Sequence, residues 1–163
     1  ISAYFPPVHT LTIVQPQIGG TITGTGGPYA LGARIGLTAE PAEGYELTGW
    51  LIDGVVSGEL GTDLSPAYSM GGADATISAV FTAVLYNLAY DQPEAGGGAI
   101  SMAAGTYSIG QSIPITISPE TDMRLKCLVI NDVEYPSYAG QTAIDFTMPA
   151  HDVGITAIFE NDS

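Results

Sequence analysis

The chain has almost no positive charge. Arg34, Arg124 and Lys126 stand against 17 carboxylates, a formal net charge of −14 over 163 residues. A surface of that sign repels phosphate backbones and anionic lipid, which argues against nucleic-acid partners and against binding at a membrane surface. It also leaves trypsin-like proteases three cleavage positions, which suits an exposed extracellular life. With a single cysteine, Cys127, no internal disulfide can form, and Cys127 reads as a small buried hydrophobe. Only His9 and His151 could serve as imidazole bases. They fall at unrelated places, one near a junction between repeats and one in a turn. No apolar run approaches the ~18 residues that cross a bilayer, so no membrane insertion is expected. No amphipathic helix of useful length is present either.

Glycine and proline are plentiful, at 21 and 11 residues, and the hydrophobic fraction is 45%. That composition supports a packed core built of short strands with many turns, and it has no collagen-like period.

The dominant feature is an internal repeat. A constant offset that places Ile22 on Ile100 also pairs Gly27 with Gly105, Tyr29 with Tyr107, Pro41 with Pro119, Met70 with Met148 and Asp74 with Asp152. One extra residue upstream in the second copy shifts the register, so Leu11 pairs with Leu88 and Pro16 with Pro93. Most shared positions are apolar, Gly or Pro, the positions that set core and turns, so the copies should share a fold. The phrase ISAVF (77–81) closes copy one and ITAIF (155–159) closes copy two; ISAYF opens the chain at 1–5. Residues 1–5 are therefore expected to be the last strand of a preceding repeat, and the chain a piece of a longer tandem array. The rival expectation is a strand that completes a neighbouring subunit's sheet.

Within copy one, period-2 patterns predict strands over 9–14, 19–23, 34–41, 44–52, 67–70 and the ISAVF phrase. GTGGPY reads as a loop. Gly49 reads as a bulge, since strict alternation would put Leu47 and Trp50 on opposite faces. Asp53-Gly54 reads as a two-residue hairpin turn, with Asn131-Asp132 at the same place in copy two.

Gly20, Thr21, Tyr29, Gly32, Leu37, Thr38, Ala39, Pro41, Gly44, Tyr45, Leu47, Trp50, Met70, Asp74, Ile77, Ala79 and Phe81 form one ordered series. This series resembles the divergent internalin B-repeat family of bacterial surface proteins, one module per copy. Copy two departs from it where Gly44-Tyr45 becomes Asp122-Met123 and Trp50 becomes Leu128. The resemblance implies small β-sandwich-like or β-grasp-like units that serve as spacers and adhesive stalk segments, without catalysis.

The candidate chemistry is sparse. No Ser-His-Asp order, phosphate loop or zinc spacing occurs, so no enzyme activity is expected. Calcium is the one cofactor left open: Asp74 and Asp152 recur at one turn, and Asp91 and Glu94 lie just past the junction. No D-x-D-x-D-G loop accompanies them, and the preferred reading makes Asp74 and Asp152 acceptors for backbone N–H groups. Tyr45 and Trp50 could stack on a sugar, but beside Leu47 they read better as core. Tyr135 and Tyr138, in the loop after the second hairpin, read as exposed contacts for a glycan or protein. Lys126 is the lone candidate for an isopeptide cross-link, and Asn161-Asp162-Ser163 matches a glycosylation sequon.

The resulting expectation is an all-β chain of two tandem small β-sandwich/β-grasp-like modules in line, over 9–84 and 85–163, with 1–8 as the preceding strand and linker. Its function is expected to be that of a non-catalytic stalk, spacer and adhesion segment of a secreted or cell-surface protein. Its partners would be neighbouring repeats of the same polypeptide and a host or cell-wall glycan or protein. The alternatives are a filament or virion subunit assembling by strand exchange through 1–5, and a glycan-binding module of an extracellular enzyme.

Overall fold

A computed structural model describes residues 6–162. The expectations placed on ISAYF lie outside the described residues. The chain divides into two compact units between Ala83 and Val84, each with its own apolar core.

The first unit contains β1 (Val8–Ile13), β2 (Gly20–Thr23), β3 (Gly27–Ala30), β4 (Arg34–Gly36), β5 (Thr38–Pro41), β6 (Tyr45–Ile52), β7 (Val55–Val56), β8 (Ala67–Ser69) and β9 (Ala75–Ala83). The second contains β10 (Tyr86–Tyr90), β11 (Gly98–Ser101), β12 (Gly105–Tyr107), β13 (Ser112–Pro119), β14 (Met123–Ile130), β15 (Val133–Tyr135), β16 (Ala143–Thr147) and β17 (Val153–Asn161). A 3-10 turn spans Pro136–Tyr138.

Each unit is built on one five-stranded sheet, ordered β3-β1-β9-β6-β7 in the first and β12-β10-β17-β14-β15 in the second. The first and last long strands lie side by side and parallel at its centre, β1 with β9 and β10 with β17, while the remaining pairs of that sheet are antiparallel. This central parallel pair is the grasp-like feature. A second layer supplies the sandwich-like one: β11-β13-β16 in the second unit, and the ribbons β2-β5 and β4-β8 in the first. Residues of both layers share one core, with Leu11, Ile22, Ile35, Trp50, Met70 and Ile77 in the first unit and Leu88, Ile100, Ile113, Leu128, Met148 and Ile155 at the matching places of the second.

Two predicted elements differ. The single strand expected over 34–41 is interrupted at Leu37, whereas its counterpart β13 is continuous. The cause is Pro66. The Leu37 N–H donates to the Pro66 carbonyl, but proline has no N–H to return, so the ladder breaks. In the second unit Ile144 stands at that place and pairs with Ile115. GTGGPY is not wholly a loop either, because Gly27–Ala30 pairs with β1. Pro28 is tolerated there because β3 is a sheet edge, where a missing donor faces solvent.

The predicted bulge is present, one residue before Gly49. Pairing of β6 with β9 slips between Leu47 and Gly49, leaving Thr48 as the extra, exposed residue. Leu47 and Trp50 consequently both turn inward. The slip recurs between Leu125 and Cys127, with Lys126 exposed at the same position. Both hairpin turns have positive φ at both central residues: Asp53 at 50° and Gly54 at 79°, Asn131 at 49° and Asp132 at 66°. That is the type I′ geometry whose twist matches the flanking strands.

Candidate functional site

The four aromatic candidates do not form a platform. Trp50 is 0% exposed, and its Nε1–H donates to the Asp63 carbonyl at 2.8 Å. It therefore belongs to the core and has no face to offer a sugar. Tyr45 is half-buried against the same core. Tyr138 is not a free loop residue: it sits on the 3-10 turn and packs against the second core. Tyr135, at the end of β15, is 39% exposed.

Of the acidic residues singled out in the sequence, Asp74 and Asp152 have partners for their side chains, whereas Asp91 and Glu94 have none among the described residues. Asp74 Oδ1 accepts from the Thr10 N–H at 2.7 Å, and Asp152 Oδ1 accepts from the Asn87 N–H at 2.8 Å. Each ties the turn before the last strand to the first strand of its unit. At the hairpin, Asp53 Oδ1 accepts from the Thr76 N–H while the Asp53 N–H donates to the Thr76 carbonyl. Asn131 and Gly154 repeat both bonds. Among the described residues, no group of three or more His, Cys, Asp or Glu side chains converges as a metal ion requires.

Sequence reasoning missed two recurrent clips, one of them from the Tyr29 and Tyr107 hydroxyls to the Thr25 and Ala103 carbonyls, the other from a glutamine. The Gln15 side-chain amide bonds both the N–H and the carbonyl of Ile22, at 2.9 and 2.6 Å. Gln92 does the same to Ile100. The signal was available, since Gln15 and Gln92 fall in the one-residue shift that pairs Leu11 with Leu88.

The Gly-Gly entry to β2 is explained by packing. A Cβ on Gly19, at φ +88°, would lie 2.7 Å from Phe81 Cβ and 2.8 Å from Tyr45 Cδ1. A Cβ on Gly98 would lie 2.6 Å from the Phe159 ring and 2.8 Å from the Ser118 carbonyl oxygen. The closing Phe of each repeat thus lies over its paired glycines.

Cys127 is buried in β14 beside Ile158, on the sheet face away from the core, at the position that Gly49 fills in the first unit. Burial pushes its thiol above the ordinary range, with Glu134 and Glu160 adding to the shift and Lys126 opposing it. A protonated, enclosed thiol is a poor nucleophile.

A groove recurs in both units beside the last strand. In the first it has a volume of about 330 Å³ between Val14–Ile18 and Ser78–Phe81. In the second it has about 500 Å³ and is lined by Asp91, Gln92, Glu94, Ala95, Val129, Asp132 and Thr156–Ile158. The backbone beside it is open. The Asn131 N–H bonds the Gly154 carbonyl from one side of β17, and the Asp91 N–H bonds the Ile155 carbonyl from the other. Alternate residues of a strand aim their N–H and C=O groups to alternate sides, so Ala157 and Phe159 point past the end of β10. Among the described residues no strand pairs with them there. The first unit has the same arrangement, with β1 ending at the Val14-to-Ile77 bond.

Two copies of one all-β unit, alike in core, turns and clips, define a tandem-repeat protein. The divergent InlB B-repeat domain matches the chain twice, over residues 9–85 and 88–163. The chain belongs to that family. Comparison with curated proteins and with solved structures gives no match.

Proposed function

We propose that this chain is a non-catalytic spacer and adhesion segment of a secreted or cell-surface protein. Each module folds on its own core, and repetition sets the reach of the polypeptide. The observation that carries this reading is what the two copies share. They repeat the Asp74 and Asp152 clips, the Gln15 and Gln92 clips and the Gly-Phe packing. These are devices that hold a fold. The exposed side chains, by contrast, differ from one copy to the other: the groove that presents Val14 and Ile18 in the first unit presents Asp91 and Ala95 in the second.

Membership in a family of bacterial surface-protein repeats supports an extracellular setting. No helix among the described residues is long and apolar enough to cross a membrane. In this reading the chain needs no cofactor, and its nearest partners are neighbouring repeats of the same polypeptide. The exposed Tyr135 is a contact for a cell-wall or host glycan or protein.

The experiment is to raise antibodies against residues 9–84 and apply them to intact cells of the source, alongside fractionation and intact-mass measurement. Labelling of unpermeabilised cells, with an envelope polypeptide much heavier than this chain, is the expected result. Labelling only after lysis would overturn the surface assignment.

A further inference from the structure

We infer that the open half of β17 is a strand-addition site for an extended, basic peptide segment of a partner protein. This goes beyond the spacer reading and does not depend on it. Three observations meet at this place.

The first is backbone. Ala157 and Phe159 present N–H and C=O groups to an edge that β10 leaves uncovered after the Asp91-to-Ile155 bond. β10 is parallel to β17, so a guest strand can occupy the position that a longer β10 would have taken. Main-chain hydrogen bonds of this kind supply affinity with little demand on sequence.

The second is shape. The groove alongside has a volume of about 500 Å³, and its floor includes the half-buried, outward-facing Val129 and Ile158. Side chains of an added strand alternate between faces, so every second residue of a guest enters this groove.

The third is charge. Asp91, Glu94 and Asp132 line the groove and no cation does. Arg124 is held elsewhere, 3.0 Å from Glu160. None of the three groove carboxylates makes a salt bridge or accepts a side-chain hydrogen bond among the described residues. Lysines at alternate positions of a guest strand would meet them, while an acidic strand would be repelled. The equivalent groove of the first unit has Val14 and Gln17 where Asp91 and Glu94 stand, and Gly54 is at the place of Asp132, so it does not select a basic guest.

Charged residues beside an open edge also serve to keep strands from pairing, and the experiment separates the two roles. The full chain, labelled with ¹⁵N, is titrated at low ionic strength with a synthetic decapeptide of alternating lysine and valine. Two analogues are run in parallel: one with glutamate for lysine, and one N-methylated on the backbone amides that face the edge. The expected result is saturable binding of the lysine peptide, with amide shifts confined to residues 91–95, 129–132 and 156–161. N-methylation should weaken binding at least ten-fold, and the glutamate peptide should not bind. The exposed double variant Asp91→Asn, Glu94→Gln should weaken binding several-fold while its spectrum elsewhere stays unchanged. Absence of binding would overturn the proposal and leave the carboxylates as guards of the edge. Equal affinity for the N-methylated peptide, or shifts scattered over the acidic turns, would overturn it as well, by reducing the attraction to net charge.

Discussion

Asp74 Oδ1 accepts a hydrogen bond from the backbone N–H of Thr10 at 2.7 Å, across 64 residues of chain. Asp152 and Asn87 repeat it across 65. The bond joins the turn before the last strand to the first strand, and so fixes the parallel pair at the centre of each sheet. Asp74→Ala should destabilise the first unit by about 1 kcal/mol, below the roughly 1.5–3 kcal/mol of a charged acceptor because the carboxylate is largely exposed. Asp74→Asn, which keeps an acceptor oxygen, should cost less. Urea unfolding followed by Trp50 fluorescence reads this directly. The matching Asp152→Ala change should leave the Trp50 transition in place, since Trp50 belongs to the first core.

The glycines give a prediction about space. Gly98→Ala drives a methyl group into the Phe159 ring and the Ser118 carbonyl, and overpacking of this kind costs about 1–3 kcal/mol. Gly36→Ala meets nothing within 4 Å and has an ordinary strand φ, so it should be neutral or slightly stabilising. Thermal unfolding of the two variants should differ clearly, and equal midpoints would contradict the packing described for Phe159.

Trp50 should emit in the blue, resist acrylamide quenching and ignore added sugars, because it has no exposed surface. Trp50→Leu copies the residue found at Leu128 but removes the Nε1 bond to Asp63 and leaves unfilled space. It should cost about 3 kcal/mol. A sugar-dependent shift of the emission would contradict the core assignment.

Cys127 gives a pH dependence whose sign is fixed. Its folded thiol titrates above the ordinary value, so its contribution is whole below the unfolded thiol's pKa of about 8.5. That contribution is lost as pH rises from there through the folded value, because the unfolded chain releases the proton first. The stability of the second unit should therefore decline with alkaline pH more steeply in the native chain than in Cys127→Ala. Iodoacetamide should label Cys127 slowly in the folded chain and rapidly in urea. Fast labelling without denaturant would contradict the burial.

Much of this architecture was legible in the sequence because repetition separates constrained positions from free ones. The hairpin turns followed from Asp53-Gly54 and Asn131-Asp132, and the bulge from the spacing of Leu47 and Trp50. What the sequence hid depends on long-range pairing. Nothing local announces that Pro66 will interrupt a strand at Leu37, or that Gly27–Ala30 will pair with β1. The acceptor role of Asp74 and Asp152 was legible as hydrogen bonding to backbone N–H groups, but its partner, a strand more than sixty residues away, was not. The open edge at Ala157 and Phe159 is also a product of topology, since it exists only because β10 stops short of its neighbour. Tyr138 read as a loop contact because packing behind a 3-10 turn leaves no periodic trace.

The central claim is that two mechanically separate modules of one fold set the length of this segment. Single-molecule pulling on the full chain between flanking handles tests it. The account predicts two unfolding events of nearly equal contour gain. Each should release roughly 250 Å of chain, the extended length of one family match less its folded span. One event of about twice that gain, or a graded extension without discrete steps, would contradict it.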